Sequence, residues 1–206
     1  MRTLCRRMVA PQRTSGLVQR WASFLQFALD RPVRFEQPQL WKTKGQVLAS
    51  STERELIAGW ELKRSCSSRP KDRHGRYGCG ICGGCLLRAV AAHAAGLRSI
   101  GQDNACDVYA VEDNVCDRNG GERRMTPGER GLAVRAIDGM AELAGLADSP
   151  DGESIVDREA RLVDSSNPDA VRERLRRLLD RHRTEWNAFL CSLPKRSWVR
   201  DIAAQL

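Results

Sequence analysis

The amino-acid sequence predicts a mainly α-helical protein, and three observations carry that expectation. Apolar residues recur at helical spacing in several long stretches, helix start and stop signals bracket most of them, and no convincing run of alternating strands is present. The chain has 206 residues, 41% of them hydrophobic and 29% charged. That length holds one compact domain or a domain with an appendage, and the composition excludes a wholly disordered chain. No stretch approaches the roughly 20 apolar residues that cross a bilayer. The opening MRTLCRRMVAPQRTSG is basic but lacks the apolar centre of a secretory signal. A cytoplasmic protein without membrane contact is expected.

The first helix is expected from Arg13 to Leu29, where Leu17, Val18, Trp21, Phe24, Leu25, Ala28 and Leu29 form one stripe capped by Thr14 or Ser15. Asp30-Arg31-Pro32 ends it, and Val33-Arg34-Phe35 reads as a short extended piece. Leu40-Trp41-Lys42-Thr43-Lys44-Gly45 leads into a short helix through Leu48, and Thr52 with Glu55 makes a capping box for another to about Leu62. Leu86 to Ala95 is a strong helix stopped by Gly96. Thr126-Pro127-Gly128-Glu129 combines a cap, a first-turn proline and a glutamate reaching back, opening a helix that ends near Gly145. Ile155 to Val163 is a further short helix. Asn167-Pro168-Asp169 begins the last long one, whose stripe runs Val171, Leu175, Leu178, Leu179, His182, Trp186, Phe189 and Leu190 before Pro194 closes it. His182 in that stripe reads as a core histidine.

Lys and Arg number 34 against 26 Asp and Glu, a formal net charge of +8. Such an excess favours anions: nucleic acid, nucleotide phosphates or an acidic protein. On the last helix Arg172, Arg174, Arg176, Arg177, Arg181 and Arg183 face only Glu173 and Asp180. A solvated helix face is the preferred reading of that arrangement, ahead of a phosphate-binding surface.

Between Arg64 and Gly84 the chain holds five glycines and almost no apolar side chain, so a hydrophobic core cannot order it. The same segment carries Cys66 and then, after twelve residues, Cys79-Gly80-Ile81-Cys82-Gly83-Gly84-Cys85. In a cytoplasmic setting such spacing points to metal or redox chemistry before disulfides. Structural zinc takes four soft ligands in a tetrahedron, and Gly78, Gly80, Gly83 and Gly84 give the backbone freedom to wrap an ion. Cys85 falls near the start of the following helix, where the dipole and open N–H groups favour a thiolate. Zinc held by Cys66, Cys79, Cys82 and Cys85 contributes on the order of 10 kcal/mol to folding. A full four-thiolate site leaves no place for activated water, which makes it structural. An iron–sulfur cluster is the main rival, since three cysteines at this spacing occur in ferredoxins, but the usual Cys-Pro does not follow. Cys5, Cys106, Cys116 and Cys191 read as ordinary thiols.

Ser65-Cys66, the run Cys79 to Arg88, and Thr43-Lys44-Gly45-Gln46-Val47-Leu48 together resemble the C-terminal portion of the 7-cyano-7-deazaguanine synthase (QueC) family. The resemblance is greatest to QueC-like members of the QatC kind from anti-phage defence islands. It runs from about Thr14 to Leu97 and is looser beyond. It implies an ATP-consuming carbon–nitrogen ligase of the PP-loop class, an α/β fold, that adenylates 7-carboxy-7-deazaguanine and converts it through an amide to the nitrile. It also implies that the four cysteines hold zinc beside the active site and that Lys44 contacts a phosphate or acyl-adenylate. The Ser-Gly-Gly-x-Asp-Ser phosphate loop of the family is absent from this sequence. The expectation is therefore the helical C-terminal portion of such a protein, using ATP only in the complete architecture, inactive alone and working with a nucleotide-binding partner chain. Residues 1–62 are then a helical remnant adjoining the missing nucleotide-binding domain, 63–100 a zinc knuckle and its helix, and 101–206 a helical extension. The alternative is a zinc-knuckle module that binds nucleic acid or a protein.

Overall fold

Helix-favouring stretches with good terminal signals become helices here almost without exception. The computed structural model describes residues 11–33, 37–51, 79–97, 114–116 and 122–206. Helix α1 covers Pro11–Leu29, α2 Lys44–Ala49, α3 Gly83–Ala94, α4 Pro127–Gly145, α5 Gly152–Val163, α6 Pro168–Ser192 and α7 Trp198–Ala203. Strands β1 (Asn114–Cys116) and β2 (Glu122–Arg124) pair antiparallel, with Val115 opposite Arg123. Among the described residues the protein is thus mainly helical, and no helix is long and apolar enough to cross a membrane. The expected helix from Thr52 to Leu62 and most of the extended piece at Val33-Arg34-Phe35 lie outside the described residues.

The chain divides into two compact units. One takes the described residues up to Trp41 together with Leu146–Leu179, and the other Lys42–Gly145 with Asp180–Leu206. In the first unit α5 packs on α1. Helix α1 begins at Pro11, so Thr14 and Ser15 lie inside it and do not cap it. Asp30 then takes a left-handed backbone (φ 47°), the conformation that commonly ends a helix. Gly152 opens α5 where a Cβ would stand 1.9 Å from the Leu146 carbonyl oxygen, so only glycine fits.

The second unit has one continuous apolar core. Leu86, Ala89 and Val90 of α3, Ala133, Ile137 and Met140 of α4, Trp186 and Phe189 of α6, and Trp198, Val199 and Ile202 of α7 pack together. His182 is buried with them, its Nε2 3.3 Å from the Met140 carbonyl oxygen, and burial lowers its pKa so that it stays neutral. Helix α3 stops as the sequence predicts. Gly96 is left-handed (φ 67°), its N–H bonds His93 O at 3.0 Å, and the Leu97 N–H bonds Ala92 O at 2.9 Å, the paired bonds of a Schellman motif. Three elements carry no sequence signal strong enough to predict them. The strands are three residues each, too short for alternation to register, and α7 is a six-residue helix recognisable only by its buried Trp198, Val199 and Ile202.

The arginines of α6 are all engaged within their own units. Arg172 bonds Asp157 and Asp169, Arg176 bonds Glu153, and Arg174 lies over the Trp41 ring. Arg177 pairs with Glu173, Arg181 donates to Gln46, and Arg183 pairs with Asp180. Asp157 and Glu153 of α5 join Asp169, Glu173 and Asp180 of α6 itself in balancing this face, so α6 read alone overstates its basicity.

Helix α4 opens with the predicted capping box. The Thr126 N–H donates to Glu129 Oε2 at 2.9 Å, the Glu129 N–H donates to Thr126 Oγ1 at 3.3 Å, and Arg123 adds a two-pronged ion pair to the carboxylate. The Arg123 hydrogen bond is the main cause holding Glu129 at a pKa of about 2 in place of 4.5, with the Thr126 bonds assisting. A carboxylate lowered on folding stabilises the protein above its unfolded pKa and loses that contribution as the pH falls toward the folded one. Glu129→Gln is expected to cost about 0.5–1 kcal/mol near pH 7 and to flatten the acid limb of stability between those two values. Urea melts across that range check it, and an unchanged acid limb contradicts it.

Candidate metal centre

The Cys79 to Cys85 run folds into a tight turn that feeds directly into α3. Gly80 adopts φ 76°, a left-handed conformation that side-chain-bearing residues rarely take, and this turns the chain between the first two cysteines. Gly83 and Gly84 instead take up helical backbone, because α3 starts at Gly83 and not at Leu86. Cys82 is the N-cap residue, extended at φ −82° and ψ 160°, and makes no side-chain capping bond. Cys85 sits in the first turn, where open backbone N–H groups and the helix dipole favour negative charge.

Three sulfurs converge as a result. The Sγ atoms of Cys79, Cys82 and Cys85 all lie within 4.8 Å of one another, with Cys79 Sγ 4.0 Å from Cys85 Sγ. Ligands at about 2.3 Å from a tetrahedral zinc stand about 3.8 Å apart, so the spacing suits a shared ion. It is far beyond the roughly 2.05 Å of a disulfide, and none of the three is in one. The Cys82 N–H points at Cys79 Sγ over 3.4 Å, a donor that stabilises charge on that sulfur. Cys82 and Cys85 are buried and Cys79 half-buried. Among the described residues no other group of three His, Cys, Asp or Glu side chains is so placed.

Without an ion this cluster resists ionisation. Hydrogen bonding of the Cys85 thiol to the Cys79 and Cys82 sulfurs, followed by burial, pushes its pKa far above the usual thiol range. Three crowded, sheltered sulfurs cannot all carry charge unless a cation neutralises them. A divalent ion could do so, replacing the protons. The donor set is soft sulfur, which selects zinc or iron over calcium or magnesium.

Cys66, the expected fourth ligand, lies outside the described residues, as do Cys5 and Cys106. Cys116 falls in β1, and Cys191 is exposed on α6. Lys44 is the first residue of α2 and is exposed. Its neighbours are more confined. Thr43 caps α2 in a full capping box with Gln46, and its hydroxyl donates a short bond to Glu185 of α6. A groove of about 330 Å³ opens there, lined by Gly45, His93, Ala94 and Glu185 among others. Two further residues of interest have weak sequence signals. Glu185 reads as an ordinary acid on a polar helix face, and Arg88 stands out only as the single charge in an apolar helix.

No family model, curated protein or solved structure matches this chain.

Helix α2 packs against α3 through Gly45. A Cβ at that position would lie 2.7 Å from Ala94 Cβ and 2.8 Å from Glu185 Oε1. Gly45→Ala is therefore expected to lower stability by about 1–3 kcal/mol through overpacking. Denaturant melts measure this, and a midpoint within error of the native chain contradicts the packing described.

Proposed function

We propose that this protein holds one zinc ion through Cys66, Cys79, Cys82 and Cys85, and that the ion is structural. The observation carrying this reading is the convergence of three largely buried sulfurs, at near-tetrahedral spacing, on the first turn of α3. A fourth thiolate completes the coordination and leaves no position at which water is activated. The ion fastens the cysteine turn to α3, and through α3 to the apolar core.

The wider reading is that the chain is the zinc-binding segment of a QueC-like, ATP-dependent 7-deazaguanine synthase or ligase of the anti-phage defence kind. It acts with a partner chain that supplies the nucleotide-binding half and, with it, ATP. What supports this is the pairing of the two motifs that carry the resemblance. The Thr43-Lys44-Gly45 helix lies directly against the helix that bears the cysteines, in the same unit. In that reading Lys44 reaches toward a phosphate or acyl-adenylate on the partner. Nucleic-acid binding has less support, because the arginines of α6 are already occupied.

Elemental analysis of the purified chain is expected to return one zinc per molecule. Cys66→Ser and Cys82→Ser lose or greatly weaken it, while Cys191→Ser retains it, and a strong chelator lowers the melting temperature of the native chain. Iron with visible absorbance, or zinc indifferent to Cys82→Ser, contradicts the metal reading. The enzymatic reading predicts ATP–pyrophosphate exchange with 7-carboxy-7-deazaguanine only when a Ser-Gly-Gly-x-Asp-Ser partner chain is added. Exchange that is independent of this chain contradicts it.

A further inference from the structure

Helix α1 turns large apolar side chains outward. Trp21 is 51% exposed, Phe24 58%, Phe27 89% and Leu29 49%, half of the large hydrophobics exposed among the described residues. The helix packs on α5, yet of residues 20–29 only Ala22 and Leu25 are even half-buried. Trp21 and Phe24 meet edge to face with ring centroids 5.7 Å apart. Leu17, Trp21, Phe24 and Ala28 recur at helical spacing, so these aromatics belong to a ridge that runs along the helix. Contiguous apolar surface of this kind marks a place that something else covers.

The charge around the ridge says what covers it. Arg13 and Arg20 stand seven residues apart in α1, on the same side of the helix, and α1 contains no acid. Arg20 is exposed and has no ion pair among the described residues. The first 34 residues carry seven arginines and a single acid, Asp30. A second copy of the chain would set these arginines against their own kind. An anionic bilayer meets both features at once. Aromatic rings settle at the boundary between headgroups and acyl chains, and arginine stems lie along that boundary with their charged ends among the phosphates.

We propose that α1 docks this protein on an anionic lipid surface, lying in the plane of the membrane with Trp21 and Phe24 entering the headgroup boundary. Such a helix does not cross the bilayer, and its polar side, with Ser23 and Gln26, stays in water. A search for spanning stretches passes it over, which is why the sequence reads as free of membrane contact. The docking is independent of the metal reading.

The full-length chain is mixed with vesicles of phosphatidylcholine alone or of equal parts phosphatidylcholine and phosphatidylserine, and the bound fraction is measured by sedimentation. Native protein is expected to bind the mixed vesicles about tenfold or more tightly than the neutral ones, and to leave them in high salt. Phe24→Asp and Arg20→Glu each weaken binding several-fold or more, while Leu206→Asp, exposed at the other end of the chain, matches native. Binding shifts tryptophan emission to the blue, and Trp21→Phe removes the shift while still binding. Circular dichroism reports folding. Should Phe24→Asp fail to fold, Trp21→Phe decides: a lost shift with binding retained supports the docking, and an unchanged shift overturns it. Phe24→Asp and Arg20→Glu that bind as native does overturn it too, since the charge of the whole chain then suffices. Native protein that binds neither vesicle overturns it outright, and a dimer abolished by Phe24→Asp would then assign the ridge to a second copy.

Discussion

Three sulfurs crowded into a sheltered turn repel one another once ionised, and that electrostatic problem shapes the second unit of this protein. Cys79, Cys82 and Cys85 cannot share their space as thiolates without a cation, and as thiols they give only weak hydrogen bonds to hold a turn made largely of glycine. A soft divalent ion would resolve both difficulties. It would turn mutual repulsion into a common bond and add to the order that Ile81, buried in the apolar core, already gives the turn.

The rest of the unit presents that turn rigidly. Helix α3 is clamped by α2 on one side and by α4 on another, and the core formed with α6 and α7 leaves it little freedom. Its N-terminus carries Cys82 and Cys85, and its C-terminus is closed by Gly96. Glycine is required at two positions. At Gly80 the left-handed backbone bends the chain around the sulfurs, and at Gly45 the missing side chain lets α2 settle against Ala94 and Glu185. The cysteine turn and the Thr43-Lys44-Gly45 segment thus belong to one compact unit.

Much of this was legible in the sequence because it depends on local chemistry. The Thr126 and Glu129 capping box, the Gly96 stop and the apolar stripe of α6 are decided by residues within a few turns, and the structure has them as the sequence predicts. The cysteine spacing foretold the convergence of three sulfurs for the same reason. What depends on distant partners was hidden. The α6 arginines read as an unbalanced basic face in part because two of their acids, Asp157 and Glu153, lie in α5. The bond between Thr43 and Glu185 spans most of the chain, and nothing near either residue announces it. The α3 start was misplaced by three residues because Gly83 and Gly84 are poor helix formers that the cysteine turn nevertheless holds in helical backbone.

X-ray absorption at the zinc edge of the purified, full-length chain addresses the central claim most directly. A first shell of sulfur alone, at about 2.3 Å from the metal, is the result expected of four thiolates. A shell dominated by nitrogen or oxygen, or a sample that holds no zinc, would contradict it.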